Sequence, residues 1–285
     1  MNNSADPINA ISVDVEEYFH VSAFANVIDR NDWGSLQRRS QGRVAELLDL
    51  FDEFDVKATF FVLGWLAERE PQMVRRIASR GHEIACHGYS HRLIYEQTPD
   101  DFRAETTKAK SILEDLIDDP VLGYRAATYS ITEKSLWALD ILWDAGFTYD
   151  SSIFPILHDR YGIPTAPTEP HRLETPNGKS IIEFPLSTLS LTRLKLPVAG
   201  GGYFRLYPYV FSRWALKRIN QGGQPFIFYL HPWELDPNQP HVNASSMNTF
   251  RHYNNLRKFQ PRLRRLLSDF QFDRTDNALK RLDLL

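Results

Sequence analysis

Apolar and polar positions along the chain alternate between two rhythms. Ala10 to Val15 is a short β-type run ending among acids, and Val44 to Phe54 places apolar residues at helical spacing. Lys57 to Leu63 is an apolar, aromatic strand candidate. Pro71 opens a helix to about Arg80 that Gly81 closes, and Glu83 to Cys86 is the next strand. A helix from Pro99 to Leu116 then leads to a strand at Val121 to Tyr124. A helix from about Glu133 to Ala145 is followed by Gly146 and a strand at Phe147 to Tyr149. Strand and helix in regular alternation predict a parallel α/β architecture.

The rhythm breaks between Pro155 and Pro197, where prolines are frequent and Asn177-Gly178 predicts a β-hairpin through Thr175 to Phe184. A helix from Tyr209 to Asn220 and a strand from Phe226 to Leu230 restore it, and His231 follows that strand directly. A further helix over about Thr249 to Phe270 interleaves Leu256, Phe259, Leu263, Leu266 and Leu267 with Arg257, Lys258, Arg262, Arg264 and Arg265. That spacing predicts an apolar stripe on the barrel and a solvated basic face; an anionic polysaccharide or lipid carrier is the other occupant such a face fits. The expectation is one barrel-like domain over 1–285, with a core of about 10–235 and a C-terminal extension of about 236–285.

Composition narrows the class without naming a chemistry. Hydrophobic residues at 42% and charged residues at 24% fit a globular chain with a sizeable core and argue against disorder. A formal net charge of −3 supplies no whole-molecule field for nucleic acid, so no nucleic-acid partner is expected. Cys86 is the only cysteine, which rules out an intrachain disulfide, and the N-terminus lacks the basic start and apolar stretch of a secretory signal. Ala58 to Ala67 is about half the length a bilayer-spanning helix needs. The chain is expected to be soluble and cytoplasmic rather than an integral membrane protein.

Candidate chemistry gathers where predicted strands end, the side on which β/α barrels build active sites. Asp14 and Glu16 flank Val15, so strand alternation points both carboxylates to one side, where they need a cation, a proton or solvent to coexist. His87 and His91 follow the third strand at ligand spacing; with a carboxylate they make a plausible open site for a divalent ion. Cys86 and His82 belong to the same strand region and are expected to be structural. Arg125 runs from a strand into a loop and can hold a carboxylate ionised. His231 suits proton donation near neutral pH, and Trp233 offers an apolar wall for a sugar or a packed core residue.

The ordered segments SVDVEE, HGYSH, GYRAATYS, YDSSIFP and YLHPWE resemble the polysaccharide deacetylase family with NodB homology, carbohydrate esterase family 4. GGGYFRLYPY at 200–209 and HPWELDPNQP at 231–240 resemble its exopolysaccharide- and exosortase-locus-associated subfamily. The resemblance implies a single distorted (β/α) barrel of the NodB-homology type, with the hairpin insertion and a C-terminal helical extension. It implies Asp14 as catalytic base, His87 and His91 as metal ligands, Arg125 as brace of the base and His231 as general acid. Asp150 matches the family's loosest motif and is expected to orient His231 or Arg125. The common pattern has adjacent aspartates, but Val15 follows Asp14, so Glu16 is the substitute ligand and a swap of the two carboxylates stays open. Ala127 stands where the family usually has proline, leaving the stiffness of that loop in question.

The implied reaction removes N-acetyl groups from an N-acetylated glycan or lipid-linked sugar, with one divalent ion, Zn²⁺ first and Co²⁺, Ni²⁺, Mn²⁺ or Fe²⁺ as substitutes. Tyr129, Trp233 and Tyr203 would line an open groove for the sugar. Two alternatives stand beside it: hydrolysis of a small cyclic amide or ureide on the same barrel, and a catalytically inactive carbohydrate-binding relative.

Overall fold

The computed structural model describes residues 7–158, 160–191 and 194–285. β1 (Asn9–Val15) is buried along its whole length and leads through a long connection to α1 (Ser40–Glu53). β2 (Thr59–Val62), α2 (Gly64–Arg69), α3 (Pro71–Ser79), β3 (Glu83–Cys86) and α4 (Pro99–Ile117) continue the alternation. After β4 (Gly123–Tyr124), α5 (Trp137–Asp144) and β5 (Tyr149–Asp150), the hairpin of β6 (His171–Glu174) and β7 (Ser180–Glu183) folds back. A second hairpin, β8 (Thr188–Leu191) and β9 (Leu194–Pro197), precedes α6 (Gly201–Leu206), α7 (Tyr209–Gln221) and β10 (Ile227–Leu230). The chain ends with α8 (Ser246–Tyr253), α9 (Leu256–Asp269), β11 (Phe272–Asp273) and α10 (Thr275–Arg281).

The main sheet runs in the order β10-β1-β2-β3-β4-β5-β7-β6, with β11 beside β1, and only the β6–β7 pairing is antiparallel. It curls into a half-barrel whose ladder does not close from β6 to β10 among the described residues. The chain after β7 flanks β10: Ile227 N donates to Ser187 Oγ at 2.8 Å and Tyr229 N to the Ala199 carbonyl at 3.0 Å. Helices cover the outside, so β1 and β2 are buried on both faces and read as continuous apolar runs.

Two expectations are corrected here. The helix expected over Thr249 to Phe270 is two, α8 and α9, because Asn255 adopts a left-handed conformation (φ 55°) that an α-helix cannot continue through. The apolar stripe of α9 packs inward as expected, with Leu256, Phe259, Leu263, Leu266 and Leu267 buried. The helix expected over Glu133 to Ala145 begins as a 3-10 turn at Glu133–Ser135 before α5.

The C-terminal elements close the end of the half-barrel opposite the strand C-termini. β11 pairs with the first residues of β1, and Ala278 and Leu279 of α10 pack with Ala10, Phe61, Tyr149 and Ile227. Asp276 N reaches the buried Glu83 carboxylate at 3.3 Å, and Thr275 N donates to Thr59 Oγ1 at 2.7 Å. Leu279→Ala leaves a cavity in this plug and should cost about 2–5 kcal/mol of unfolding free energy. Urea titration followed by circular dichroism checks it; an unchanged midpoint would show that α10 is dispensable to the fold.

Candidate active site

Each strand end delivers one part of a buried polar cluster. Asp14 and Glu16 come from the end of β1, His87 and His91 from the loop after β3, Arg125 from the residue after β4 and His231 from the residue after β10. Glu17, the third acid of the same run, turns away: its carboxylate accepts from Arg39 N, Ser40 N and Ser40 Oγ and so caps α1.

The two site carboxylates have separate partners. Arg125 Nη1 donates to Asp14 Oδ1 at 2.7 Å, an ion pair with both side chains fully buried or nearly so. The guanidinium is held in turn by Ser12 Oγ (2.7 Å), Ser151 Oγ (2.8 Å) and the Ser151 carbonyl (3.0 Å), and it lies 4.0 Å from the Phe61 ring centroid. Tyr129 Oη sits 3.4 Å from Asp14 Oδ2. Glu16 faces the imidazoles: its Oε2 is 2.9 Å from His91 Nε2, its Oε1 is 3.5 Å from His231 Nε2, and Trp233 Nε1 donates to Oε1 at 3.2 Å. Burial alone would raise the Glu16 carboxyl, but His91, His231 and His87 hold it well below the usual carboxylate range.

Glu16, His87 and His91 place one potential ligand atom each within 4.8 Å of one another. The donor set suits a divalent ion, and the tautomer does too. His87 Nδ1 lies 2.8 Å from the Arg125 carbonyl, an acceptor, so the proton sits on Nδ1 and the Nε2 lone pair is left for a metal. Burial pushes the His87 imidazole down to about 4, which keeps it neutral. His91 has φ 51°, an uncommon conformation for a side-chain-bearing residue, and its carbonyl and that of Ser90 accept from Arg30. Cys86 takes no part: it is fully buried in the core, and burial raises its thiol to about 12.

His231 is held from behind by residues that composition and spacing did not single out. Glu234 Oε2 accepts from His231 N at 3.0 Å and lies 3.2 Å from His231 Nδ1, while Glu234 Oε1 accepts from Arg205 Nε at 2.7 Å. Burial opposes a charged imidazole, yet the Glu234 hydrogen bond and the charges of Glu16, Glu234 and Asp14 outweigh it and raise His231 to about 9. Trp233 is stacked between His231 (5.0 Å) and His252 (4.2 Å), so of the two roles open to it the packed one is what the structure shows. Tyr129 and Tyr203 belong to a ring cluster with Phe154, Tyr161 and Tyr229; Tyr129 is buried and Tyr203 half-buried.

Asp150 is placed differently from expectation. Among the described residues it makes no hydrogen bond or ion pair with His231 or Arg125, though the Arg125 charge acts on it; Ser152 Oγ donates to its Oδ1 at 2.5 Å, and Ala126 N donates to Ser152 Oγ at 2.8 Å. Burial raises Asp150 to about 6 and pushes Glu183, its partner across β5 and β7, up as well. Around Ala127 the loop after Arg125 is held by hydrogen bonds. The Ser130 hydroxyl bonds the Ala127 carbonyl at 2.7 Å, and Thr128 Oγ1 lies 2.6 Å from Ser22 Oγ, with Thr128 and Tyr129 both at positive φ.

Residues 32–149 match the polysaccharide deacetylase family, and residues 151–280 match a domain of unknown function, DUF3473. The first part is a polysaccharide deacetylase domain. Its pairing with DUF3473 fits the exopolysaccharide-associated subfamily. The deacetylase domain and the DUF3473 region share one sheet, since Tyr149 of β5 pairs with Ile182 of β7, and β1, which precedes both matched regions, pairs with β2 on one side and β10 on the other.

Among curated relatives, a peptidoglycan-N-acetylglucosamine deacetylase of Bacillus cereus is 42% identical over 96 residues, 33% of this chain and 35% of its own. A chitooligosaccharide deacetylase of Sinorhizobium fredii is 48% identical over 46 residues, 16% of this chain and 21% of its own. YheN of Bacillus subtilis, assigned to the polysaccharide deacetylases, is 32% identical over 151 residues, 50% and 52% of the two chains. The chain thus spans about half or less of the length of the curated relatives it matches.

Two solved structures show the fold. A Mycobacterium smegmatis protein assigned to the polysaccharide deacetylases matches at TM-score 0.63 with 19% identity, covering 99% of this chain and 93% of its own. The allantoinase PuuE matches at 0.63 with 16% identity, covering 98% and 91%. One scaffold carries both names, so backbone shape does not choose the substrate.

Gly201, in the DUF3473 region, explains how Glu234 fits. A Cβ on Gly201 would lie 1.8 Å from Glu234 Oε2, and one on Gly200 would lie 2.2 Å from the Tyr229 ring. Gly201→Ala should therefore displace the Glu234 carboxylate. Glu234→Gln keeps the hydrogen-bonding shape but removes the charge, so the His231 midpoint, near 9, should fall by about 1 unit or more. An NMR titration of the histidine ring signals reads this; an unmoved midpoint would separate Glu234 from the protonation of His231.

Proposed function

We propose that the chain is a metal-dependent carbohydrate N-deacetylase acting on an N-acetylated sugar of a polysaccharide or its precursor, within one folding unit that includes both matched regions. The observation that carries the reading is the division of labour in the cluster. Glu16, His87 and His91 converge within 4.8 Å, with Asp14 held by Arg125 on one side and His231 held by Glu234 on the other.

Glu16, His87 and His91 would hold the ion, of which zinc suits the N,N,O donor set. An ion held by these residues would supply Lewis acidity for the hydrolysis. Asp14 is the base that takes the water's proton, and its pairing with Arg125 holds the carboxylate in position for that purpose. The Thr128 peptide N–H, in the left-handed turn beyond Arg125, is assigned to the developing oxyanion. His231, positively charged through neutral pH, gives a proton to the departing sugar nitrogen, which is a poor leaving group without it. The acid and base sit in different electrostatic settings, His231 against Glu234 and Asp14 against Arg125.

The substrate class rests on the named relatives, which are peptidoglycan and chitooligosaccharide deacetylases; the allantoinase likeness is one of fold. Tyr203 and Tyr129, in the ring cluster beside Asp14, are assigned to the sugar-facing wall, with Trp233 behind His231.

Metal-loaded protein incubated with N-acetylglucosamine oligomers and lipid-linked precursors should release acetate, and chelation should abolish release. His231→Ala should lower turnover by about 10²–10⁴ while the ion stays bound. Near-normal turnover would remove His231 from the acid role. No acetate from any acetylated sugar, with turnover of a cyclic ureide instead, would reverse the substrate assignment.

A further inference from the structure

We propose that the outer face formed by α6 and α7, flanked by α9, docks on an anionic lipid bilayer. Helical spacing puts Val210, Trp214 and Arg218 on one stripe of α7, with Leu206 at the end of α6 continuing it. Leu206 is 49% exposed, Val210 78% and Trp214 48%. The Phe211 ring lies 5.7 Å from Trp214 and 5.1 Å from Tyr207, so the exposed indole is part of a continuous aromatic surface. Large apolar side chains in one exposed row are costly in water and mark a contact surface.

Charge identifies what the row meets. α7 carries Arg213, Lys217 and Arg218 and no acid; α9 carries Arg257, Lys258, Arg262, Arg264 and Arg265, and its single acid is its last residue, Asp269. This concentration stands on a chain whose formal net charge is −3. Arg213 pairs with Asp269, Arg264 with Glu53, and Arg262 donates to the carbonyls of Phe204, Arg205 and Tyr207. Lys217, Arg218, Arg257, Lys258 and Arg265 make no ion pair among the described residues. An exposed aliphatic and tryptophan row on a helix that also carries the unpaired Lys217 and Arg218 matches a bilayer interface, where apolar groups enter the acyl boundary and cations meet headgroup phosphates.

Two other occupants fit less well. A sugar polymer stacks on flat rings and gains little from Leu206 and Val210, two of the three exposed apolar residues of the row. A second copy in a two-fold contact would set this cationic face against itself. The face also starts at the site's end of the molecule. α7 runs down to the base of β10, which ends at His231, and Tyr203 of the ring cluster beside Asp14 lies 6.2 Å from Tyr207. A docked chain therefore presents its site close to the headgroup layer. The proposal concerns binding alone and stands whether or not the deacetylase reading does.

Co-sedimentation of the 285-residue chain with vesicles of phosphatidylcholine, with and without phosphatidylglycerol, tests it. Binding is expected only where phosphatidylglycerol is present and should weaken as salt rises. Lys217→Glu with Arg218→Glu should lower partitioning by about fivefold per lost cation. Val210→Asp with Trp214→Asp should lower it by at least about tenfold with an unchanged circular dichroism spectrum. The proposal is overturned by no sedimentation with phosphatidylglycerol vesicles, by equal binding to phosphatidylcholine alone, or by variants that bind like the parent. Retention of soluble alginate through these residues without vesicle binding overturns it too, as does a dimer in sedimentation equilibrium that Val210→Asp dissociates.

Discussion

Two carboxylates two residues apart, both buried, cannot be left to repel each other, and the site is organised around keeping them apart. Asp14 is matched by the Arg125 guanidinium at 2.7 Å, and Glu16 by the imidazoles of His91 and His231 and the indole N–H of Trp233. A buried ion pair of this kind contributes little net stability, because desolvation offsets much of the attraction; what it secures is position. Arg125 in turn is fixed by Ser12 of β1 and by Ser151, which the pairing of β4 with β5 sets beside it. In the proposed mechanism the same separation makes one carboxylate a base and the other a ligand.

The acid side depends on the later half of the chain. Arg205 and the space at Gly201, both in α6, hold Glu234, and Glu234 holds His231. His252 of α8 stacks on Trp233, whose indole reaches Glu16. The DUF3473 region thus supplies the His231 support while the deacetylase domain supplies His87, His91 and Arg125. Neither region alone contains the whole cluster, which is why the sheet pairing of β1 with β10 matters to the chemistry.

Much of the fold is legible in the sequence because parallel strands buried on both faces appear as unbroken apolar runs, and helices such as α3, α4, α7 and α9 repeat at 3.6 residues. What escapes is governed by single residues. Asn255 breaks α8 from α9 although the apolar period carries on across it, and α2 is too short for a period to show. The placement of Glu16 beside Asp14 follows from strand alternation; His87, His91, Arg125 and His231 stand out by spacing and residue chemistry, and the family resemblance is what implies their specific roles. Glu234 has a local signal, a carboxylate three residues after His231 with proline between, which is a helix-start pattern. Arg205, 29 residues earlier, and the Asp150–Glu183 pair have none, because contacts across such separations depend on the finished fold.

The central claim is that the β1 carboxylates have different jobs. Metal content of Asp14→Asn and Glu16→Gln, read by inductively coupled plasma mass spectrometry after equilibration with zinc and gel filtration, tests it directly. The account predicts that Asp14→Asn keeps a bound ion but releases no acetate, whereas Glu16→Gln loses the ion. An Asp14→Asn protein without metal beside a Glu16→Gln protein that retains it would contradict the account and exchange the two roles.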